Sequence, residues 1–257
     1  MLLDGKVCIV VGAASPRSIG YATAELFARQ GATVVAVDIA MDEAASLAVR
    51  SSIEKAIGRP AEVMGARCDI RSSAECRQLS RDVVSRYATI DCLVNCAGIV
   101  MAQGMLTIGD ADYDRVMDVN LKGTFNICKS ALDVFAERKR GSIVNLASVA
   151  AQRGGGLVGG AHYAASKGGV ISLTRAIARE FGPLGIRANV ICPSMTETGM
   201  LDGNVTSEQF RDIVAAIPLK RAGRPSDVAG ACLFLASELS SYITGATIDV
   251  NGGSHIH

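Results

Sequence analysis

Tryptophan is absent from the sequence, and aromatic residues make up only 4% of its 257 positions. Surfaces that stack bases or sugars depend on aromatic rings, so this composition disfavours that class of protein. The net charge of +1 provides no basic surface for nucleic acid or for an anionic membrane. The chain instead contains 27 glycines, and 49% of its residues are hydrophobic. We therefore expect a layered α/β fold with tight turns and no nucleic-acid partner.

Two further features are missing: a long apolar segment and a paired-cysteine motif. No apolar run approaches the roughly 20 residues that span a membrane, and Asp4 and Lys6 lie where a signal peptide would be apolar. The eight cysteines include no Cys-x-x-Cys pair, and the closest two, Cys92 and Cys96, have no partner at zinc-ligand spacing. We expect a cytoplasmic protein with buried thiols, no metal and no membrane partner.

Short apolar runs alternate with helical patterns along the whole chain. The runs predict strands at residues 6–11, 32–37, 90–95, 141–146, 186–191 and 247–250, and a further strand that ends at residues 68–69. The helical patterns lie at residues 21–30, 41–57, 73–87, 110–137, 163–181, 207–216 and 226–236. Because the strands lack polar alternation, we expect them to be parallel and buried on both faces.

This order predicts an α/β fold with one Rossmann-type, doubly wound domain over residues 1–257. The sheet would be mostly parallel and seven-stranded, with helices on both faces and a substrate loop with small helices at about 193–225. In such a sheet, ligands bind beyond the carboxyl ends of the strands. The residues at these ends of the predicted strands include Gly12, Asp38, Asp69, Asn95, Ser148 and Pro193. We expect the functional site at this edge.

A glycine turn follows the first strand, from Gly12 to Gly20. Gly12 allows a tight turn and Gly20 a close approach of helix and sheet, and the first amides of the helix favour a pyrophosphate. The spacing alone is weak evidence, because the usual middle glycine is missing. Asp38 lies 18 residues after Gly20, where a carboxylate binds an adenosine ribose and repels a 2'-phosphate. The same residue could instead cap the next helix.

Tyr163 and Lys167 begin a helical stripe with steps of four, three, four, three and four residues. The stripe continues through Val170, Thr174, Ile177 and Phe181. An ammonium one turn from a phenol stabilises the phenolate and brings the tyrosine pKa towards the range of an acid-base catalyst. Alternatively, Lys167 extends to solvent at the start of a helix.

Together these motifs, with Asn120 and the sequence from Asn95 to Gly98, resemble the classical short-chain dehydrogenase/reductase family. The resemblance covers nearly the whole chain, since residues 221–225 and 251–253 are also similar to late motifs of that family. It implies an oxidoreductase that transfers hydride between a secondary alcohol or ketone and a nicotinamide cofactor. It also implies a homotetramer in which the helices at residues 110–137 and 163–181 lie in a subunit interface.

The resemblance also implies residue roles. Tyr163 is the acid-base group, Ser148 polarises the substrate oxygen, Lys167 lowers the pKa of Tyr163 and binds the nicotinamide ribose, and Asn120 holds a water. The residues expected to bind the cofactor NAD are Gly12, Ser18, Ile19, Gly20, Asp38, Asp69, Ile70, Asn95, Gly98, Tyr163, Lys167, Pro193 and Thr198.

The sequence departs from the family pattern in the glycine turn, which is two residues longer and has Ser18 in place of the middle glycine. A turn of this length is similar to that of bacterial enoyl-acyl-carrier-protein reductases, but those enzymes have six residues between the catalytic tyrosine and lysine, and here there are three. We expect the Ser18 hydroxyl to donate to a phosphate. Arg17 could meet a 2'-phosphate and relax the NAD preference. Ser194 replaces the glycine that usually follows Pro193.

Three polar residues near the catalytic motif could contact substrate: Gln152, Arg153 and His162. They favour a small polar hydroxy compound such as a polyol, sugar or hydroxy acid. Alternatively, Arg153 is solvated and His162 makes a local hydrogen bond at the helix start. Other functions left open are an NADPH-dependent 3-oxoacyl-thioester reductase and a non-catalytic NAD sensor. His255 and His257 could form a metal-binding tail, reach a neighbouring active site or be flexible.

Overall fold

The computed structural model describes residues 1–155, 158–203 and 205–256. Its strands form one seven-stranded sheet with the order β3-β2-β1-β4-β5-β6-β7, and every pairing is parallel. The strands are β1 (Val7–Val11), β2 (Thr33–Asp38), β3 (Val63–Arg67), β4 (Cys92–Asn95), β5 (Gly141–Leu146), β6 (Ile186–Pro193) and β7 (Thr247–Val250). The predicted parallel sheet is confirmed.

Helices connect the strands and cover both faces of the sheet. They are α1 (Ile19–Arg29), α2 (Glu43–Ile57), α3 (Ser73–Tyr87), α4 (Asp110–Met117), α5 (Gly123–Arg138), α6 (Ala150–Arg153), α7 (Ala161–Phe181), α8 (Ser207–Ala216) and α9 (Pro225–Ala236). One apolar core lies between the sheet and α1, α2 and α9. The other lies between the sheet and α3, α5 and α7. Successive residues of β1 enter opposite cores, which explains why the strands lack polar alternation.

The order of the strands reverses between β1 and β4, which are neighbours with Val11 opposite Asn95. The chain crosses from β3 at one edge back to β4 beside β1, so a crevice opens between the loops that follow these two strands. Gly12 turns there in the left-handed region, with φ of 81°. A Cβ at Gly12 would lie 3.0 Å from the backbone of Cys96 and Ala97, so only glycine lets the two loops approach this closely.

The predicted continuous helix over residues 110–137 is interrupted. One π-helical turn, Asp118–Lys122, separates α4 from α5. A π turn widens the helix and redirects the side chains within it, and this turn contains Asn120. The short helix α6 was also missed, because four residues are too few to show a helical period. No helix among the described residues is long and apolar enough to cross a membrane.

Candidate active site

A cavity of about 510 Å³ lies at the carboxyl ends of the strands. Ser148, Tyr163 and Lys167 all line it, as do four residues predicted to bind cofactor: Ile19, Gly98, Pro193 and Thr198. A cavity of about 550 Å³ at the opposite end of the sheet contains none of the predicted site residues. The structure therefore brings the predicted catalytic residues Ser148, Tyr163 and Lys167 and part of the predicted cofactor set to one place.

Tyr163 lies in the first turn of α7, after the glycines 159 and 160. A Cβ at Gly159 would overlap the Tyr163 ring, so the glycine leaves room for the ring at the cavity wall. The Ser148 hydroxyl lines the same cavity as the phenol and accepts a hydrogen bond of 3.1 Å from the Ala150 amide. Burial raises the pKa of Tyr163, and Ser148 opposes that rise.

Lys167 is 5% exposed, so the alternative in which it extends to solvent is wrong. Its Nζ donates to the Leu146 carbonyl oxygen at 2.9 Å and lies 6.0 Å from the centre of the Tyr163 ring. Burial lowers the pKa of Lys167 to about 8. We predicted that Lys167 lowers the pKa of Tyr163; in this structure Ser148 has that effect, and the ammonium is held by Leu146.

Asn120 is fully buried, and its side chain joins the loop after β4 to α7. Its Oδ1 accepts from the Ile99 amide at 2.9 Å, and its Nδ2 donates to the Ile99 carbonyl and the Ser166 hydroxyl, each at 3.0 Å. A Cβ at Gly98 would lie 3.1 Å from the Lys167 Nζ and 3.3 Å from the Asn120 Oδ1. Gly98 thus leaves space in which Lys167 and Asn120 approach each other.

Ser18 has a structural role in the glycine turn. Ser18 caps α1: its hydroxyl accepts from the Tyr21 amide at 3.0 Å and donates to the Gly12 carbonyl at 3.0 Å. The proton of this hydroxyl is thus used within the turn, and the predicted bond to a phosphate stays a prediction. A Cβ at Gly20 would overlap the Gly12 carbonyl oxygen, which explains the need for glycine there.

Asp38 ends β2 beside this turn, and it does not cap the next helix. Asp42 does so instead, accepting from the Ala45 amide at 2.7 Å. The Asp38 carboxylate accepts from Ala14 in the glycine turn at 3.2 Å and from Ala40 at 3.1 Å. Each carboxylate oxygen has two lone pairs, so the side chain is oriented by the backbone and keeps acceptor capacity beside the turn.

Asp69, Ile70 and Asn95 belong to the predicted cofactor set but are not among the residues that line the cavity. Asp69 forms a bidentate ion pair with Arg71, whose Nη2 is 2.6 Å from Oδ2, and this pairing lowers the Asp69 pKa. Ile70 is buried against Gly123. Asn95 is buried and donates to the Thr124 hydroxyl at 2.9 Å. These contacts hold the loops in place.

Arg17 forms a bidentate ion pair with Asp202, with distances of 2.7 and 3.0 Å. The pair connects the glycine turn to the loop after β6, next to Thr198 and the 3-10 turn Gly199–Leu201. An open cavity of about 1000 Å³ lies beside it. The guanidinium that could have met a 2'-phosphate is thus held by a carboxylate of this chain.

Comparisons with known proteins agree with this arrangement. A family model described as enoyl-(acyl carrier protein) reductase matches residues 12–255. The chain is 45% identical, over the full length of both proteins, to an uncharacterized short-chain type dehydrogenase/reductase, y4mP, of Sinorhizobium fredii. The chain belongs to the classical short-chain dehydrogenase/reductase family.

Two further proteins are similar to this short-chain dehydrogenase/reductase over almost the whole chain. One is the 3-oxoacyl-(acyl-carrier-protein) reductase FabG of Thermotoga maritima, with 39% identity over 98% of this chain and 99% of the relative. The other is the crystal structure of gox2181, with a TM-score of 0.91 and 32% identity over 98% of this chain and 96% of that one.

Of the three residues predicted to contact substrate in this short-chain dehydrogenase/reductase, only Arg153 lines the cavity. Gln152 is off the cavity wall and donates to Asp249 on β7 at 2.9 Å, so its contact with substrate stays a prediction. His162 is 2% exposed, and neither ring nitrogen has a hydrogen-bond partner among the described residues. The local hydrogen bond expected for His162 is therefore wrong, and its contact with substrate stays a prediction. The His255 carbonyl accepts from Asn251 at 2.8 Å, and His257 lies outside the described residues.

Most of the remaining cavity wall is apolar, a feature that was not predicted from the sequence. The wall includes Val100, Val149, Val158, Met195, Met200, Leu201, Ile213, Ala216 and Ile217. These residues come from separate segments, and only the spacing of Ile213, Ala216 and Ile217 along α8 offered a signal. An apolar wall argues against the expected small polyol or sugar, because such compounds lose hydration there without regaining hydrogen bonds. No group of three or more potential metal ligands occurs in the described ranges.

Proposed function

We propose that this short-chain dehydrogenase/reductase is an NAD(H)-dependent enzyme that interconverts a secondary alcohol and a ketone. The observation that carries the proposal is that Ser148, Tyr163 and the buried Lys167 line one cavity at the carboxyl ends of the strands. A buried acid-base group in a cleft is typical of a catalytic site.

The residues present fit a dinucleotide. The turn from Gly12 to Gly20 presents the first amides of α1, which favour a pyrophosphate, and Asp38 lies beside that turn with acceptor capacity for ribose hydroxyls. Lys167 would bind the nicotinamide ribose. When bound, nicotinamide accepts or supplies the hydride. The charge of Asp38 favours NAD, because a 2'-phosphate beside it would be repelled.

Tyr163 moves the matching proton. Because burial raises its pKa, the phenol is protonated at neutral pH and can give its proton to the alkoxide that forms when a ketone is reduced. The Ser148 hydroxyl stabilises the same oxygen by donating a hydrogen bond. In the reverse direction the phenolate takes the hydroxyl proton of the alcohol. The Ser148 hydroxyl favours the phenolate, and Asn120 would hold a water through which the proton is exchanged with solvent.

The apolar wall supports a substrate with an aliphatic or aromatic body rather than a small polyol. The experiment is a panel of secondary alcohols and ketones of graded polarity, assayed with NAD and NADH through NADH fluorescence. Turnover that rises with apolar length supports the proposal. Turnover of polyols or sugars alone would contradict the assigned substrate body, and no turnover by the intact protein would favour a non-catalytic NAD sensor.

A second candidate is a 3-oxoacyl-thioester reductase that uses NADPH. It is favoured by the 39% identity to FabG of Thermotoga maritima, and the apolar cavity would accept an acyl chain. Initial rates with acetoacetyl thioesters decide between the two: reduction with a strong preference for NADPH over NADH selects this candidate.

We also propose that the enzyme assembles as a homotetramer through α4, α5 and α7. Tyr113 on α4 and Phe125 on α5 support this, because they are 45% and 48% exposed and so offer large apolar side chains at the surface. Light scattering on the purified protein tests it, and a monomeric mass would contradict it.

A further inference from the structure

The catalytic cavity contains positive charge and no negative charge among its described lining residues. Its two charged side chains there are Lys167 and Arg153. Lys167 is buried and bonded to the Leu146 carbonyl, whereas Arg153 is exposed. A cleft lined by one sign of charge with apolar walls concentrates ligands of the opposite sign.

Arg153 is held at a fixed position relative to the catalytic serine. It is the last residue of α6, which begins two residues after Ser148, and the Ser148 hydroxyl accepts from the Ala150 amide at 3.1 Å. Gly154 then ends the helix in the left-handed conformation, with φ of 86°. The Arg153 amide donates to the carbonyl of Val149, the residue next to Ser148, at 3.0 Å, so the helix backbone joins the two residues.

The guanidinium of Arg153 has unused donors. Its Nη1 donates to the Ser254 carbonyl at 3.4 Å, and no carboxylate in the described part of the chain pairs with it. An arginine has five N–H donors in a planar fork that matches a carboxylate. Arg50 on α2 differs, because its Nε is paired with Glu54 at 3.2 Å.

We propose that Arg153 forms a subsite for a substrate carboxylate, so that the substrate is a hydroxy acid or oxo acid with an apolar chain between the two polar ends. Ser148 and Tyr163 bind the reacting oxygen, the apolar wall contacts the chain, and Arg153 binds the carboxylate remote from the reacting carbon. The inference rests on the proposed alcohol–ketone function. A single planar fork suits a carboxylate better than a phosphate dianion, which has more acceptors to satisfy.

The test compares hydroxybutanoate, hydroxypentanoate and hydroxyhexanoate, each with the hydroxyl on the penultimate carbon, with the corresponding neutral amides. We expect the wild type to prefer one carboxylate of the series over its amide by about tenfold in kcat/KM, since a charge-assisted hydrogen bond is worth about one factor of ten or more. The chain length at which the preference peaks measures the separation of the two polar ends.

Arg153→Gln should remove that preference by raising KM for the carboxylate with little change in kcat, and R153K should retain part of it. Arg50→Gln is the matched control and should leave the ratio unchanged. If none of the acids is oxidised, hexanoate and hexanamide are compared as inhibitors of the turnover of the best substrate of the wider panel. The ratio of their inhibition constants then measures the preference for a carboxylate. The proposed subsite would be overturned if the wild type had equal kcat/KM values for acid and amide, or if R153Q had the same acid-to-amide ratio of kcat/KM as the wild type.

Failure of the subsite can be told apart from failure of the proposed function. If Tyr163→Phe abolishes turnover of neutral alcohols while the wild type shows no preference for acid over amide in kcat/KM, the proposed function stands and the subsite is wrong. If Y163F retains full turnover of every substrate, the catalytic assignment is wrong and the subsite loses its basis.

Discussion

The substitution Asp38→Asn should shift the enzyme from NADH towards NADPH. The Asp38 carboxylate ends β2 and accepts from the amides of Ala14 and Ala40 at 3.2 and 3.1 Å. The amide side chain of D38N would keep one acceptor oxygen and present a donor to the other backbone amide. The substitution therefore removes the charge beside the glycine turn with little change in shape, at the cost of one unsatisfied backbone donor.

Two effects set the size of the shift. A charge-assisted hydrogen bond to a ribose hydroxyl contributes about 1.5–3 kcal/mol, so kcat/KM for NADH should fall by roughly tenfold to a hundredfold. Repulsion of a 2'-phosphate at about 4 Å near the surface amounts to at most about 4 kcal/mol per pair of charges. Its relief should raise kcat/KM for NADPH. Together we expect the NADH-to-NADPH ratio to fall by about a hundredfold or more.

The assay is the initial rate with each cofactor, together with Kd values from quenching of protein or cofactor fluorescence. Asp42→Asn is the matched control. Asp42 caps α2 four residues later, and asparagine is an equally good cap, so this variant should change neither the ratio nor the stability. A wild type that prefers NADPH, or D38N with an unchanged ratio, would refute the role given to Asp38.

Three other substitutions follow from the site. Lys167→Met should abolish turnover and raise the free energy of unfolding by about 1–3 kcal/mol at neutral pH, because it removes a buried charge. Burial lowers the Lys167 pKa from 10.5 to about 8. Between these two pH values the unfolded wild type binds more protons than the folded protein, so the free energy of unfolding of the wild type rises with pH. The difference in stability between K167M and the wild type should therefore narrow as the pH rises from about 8 to 10.5. Ser148→Ala should lower kcat by about a hundredfold and move the acidic limb of alcohol oxidation to higher pH, since Ser148 lowers the pKa of Tyr163, which must be deprotonated to act as the base. Asp202→Asn should release Arg17 and speed NADH release, as seen by stopped flow, while leaving Tm unchanged because the pair is exposed.

The substitutions at Lys167 and Asp202 each have a control on the surface. Lys122 and Asp118 form an exposed ion pair within the π turn, 3.1 Å apart. Lys122→Met should not stabilise the protein, and Asp118→Asn should not change NADH release. Destabilisation by K167M at neutral pH, an unshifted pH profile in S148A, or unchanged release in D202N would contradict the corresponding argument.

The sheet could be read from the sequence because each strand is buried on two faces. A run such as that of β1 must then be apolar at every position, and the helices between the strands carry a regular apolar stripe. The edge that holds Ser148 and Tyr163 follows from that topology alone. These residues were found because a phenol and an ammonium on one inward helical face are chemically unusual.

Other parts of the site depend on tertiary contacts that no local pattern encodes. The π turn around Asn120 accompanies bonds to Ile99 and Ser166, which are distant in sequence. From the sequence, the Ser18 hydroxyl could contact a phosphate or cap a helix. In the structure it accepts from the Tyr21 amide and caps α1. The apolar cavity wall combines residues from separate loops and from α8, so its character appears only once the chain is folded.

The replacement Tyr163→Phe tests the central claim most directly. General acid-base groups contribute about a hundredfold to ten-thousandfold to rate, so turnover of the best alcohol or ketone should fall by about a thousandfold. The Kd for NADH should stay near that of the wild type, and Tyr242→Phe at the surface should behave like the wild type. If Y163F turns over substrate at the wild-type rate, Tyr163 does not carry the proton and the account of this site is wrong.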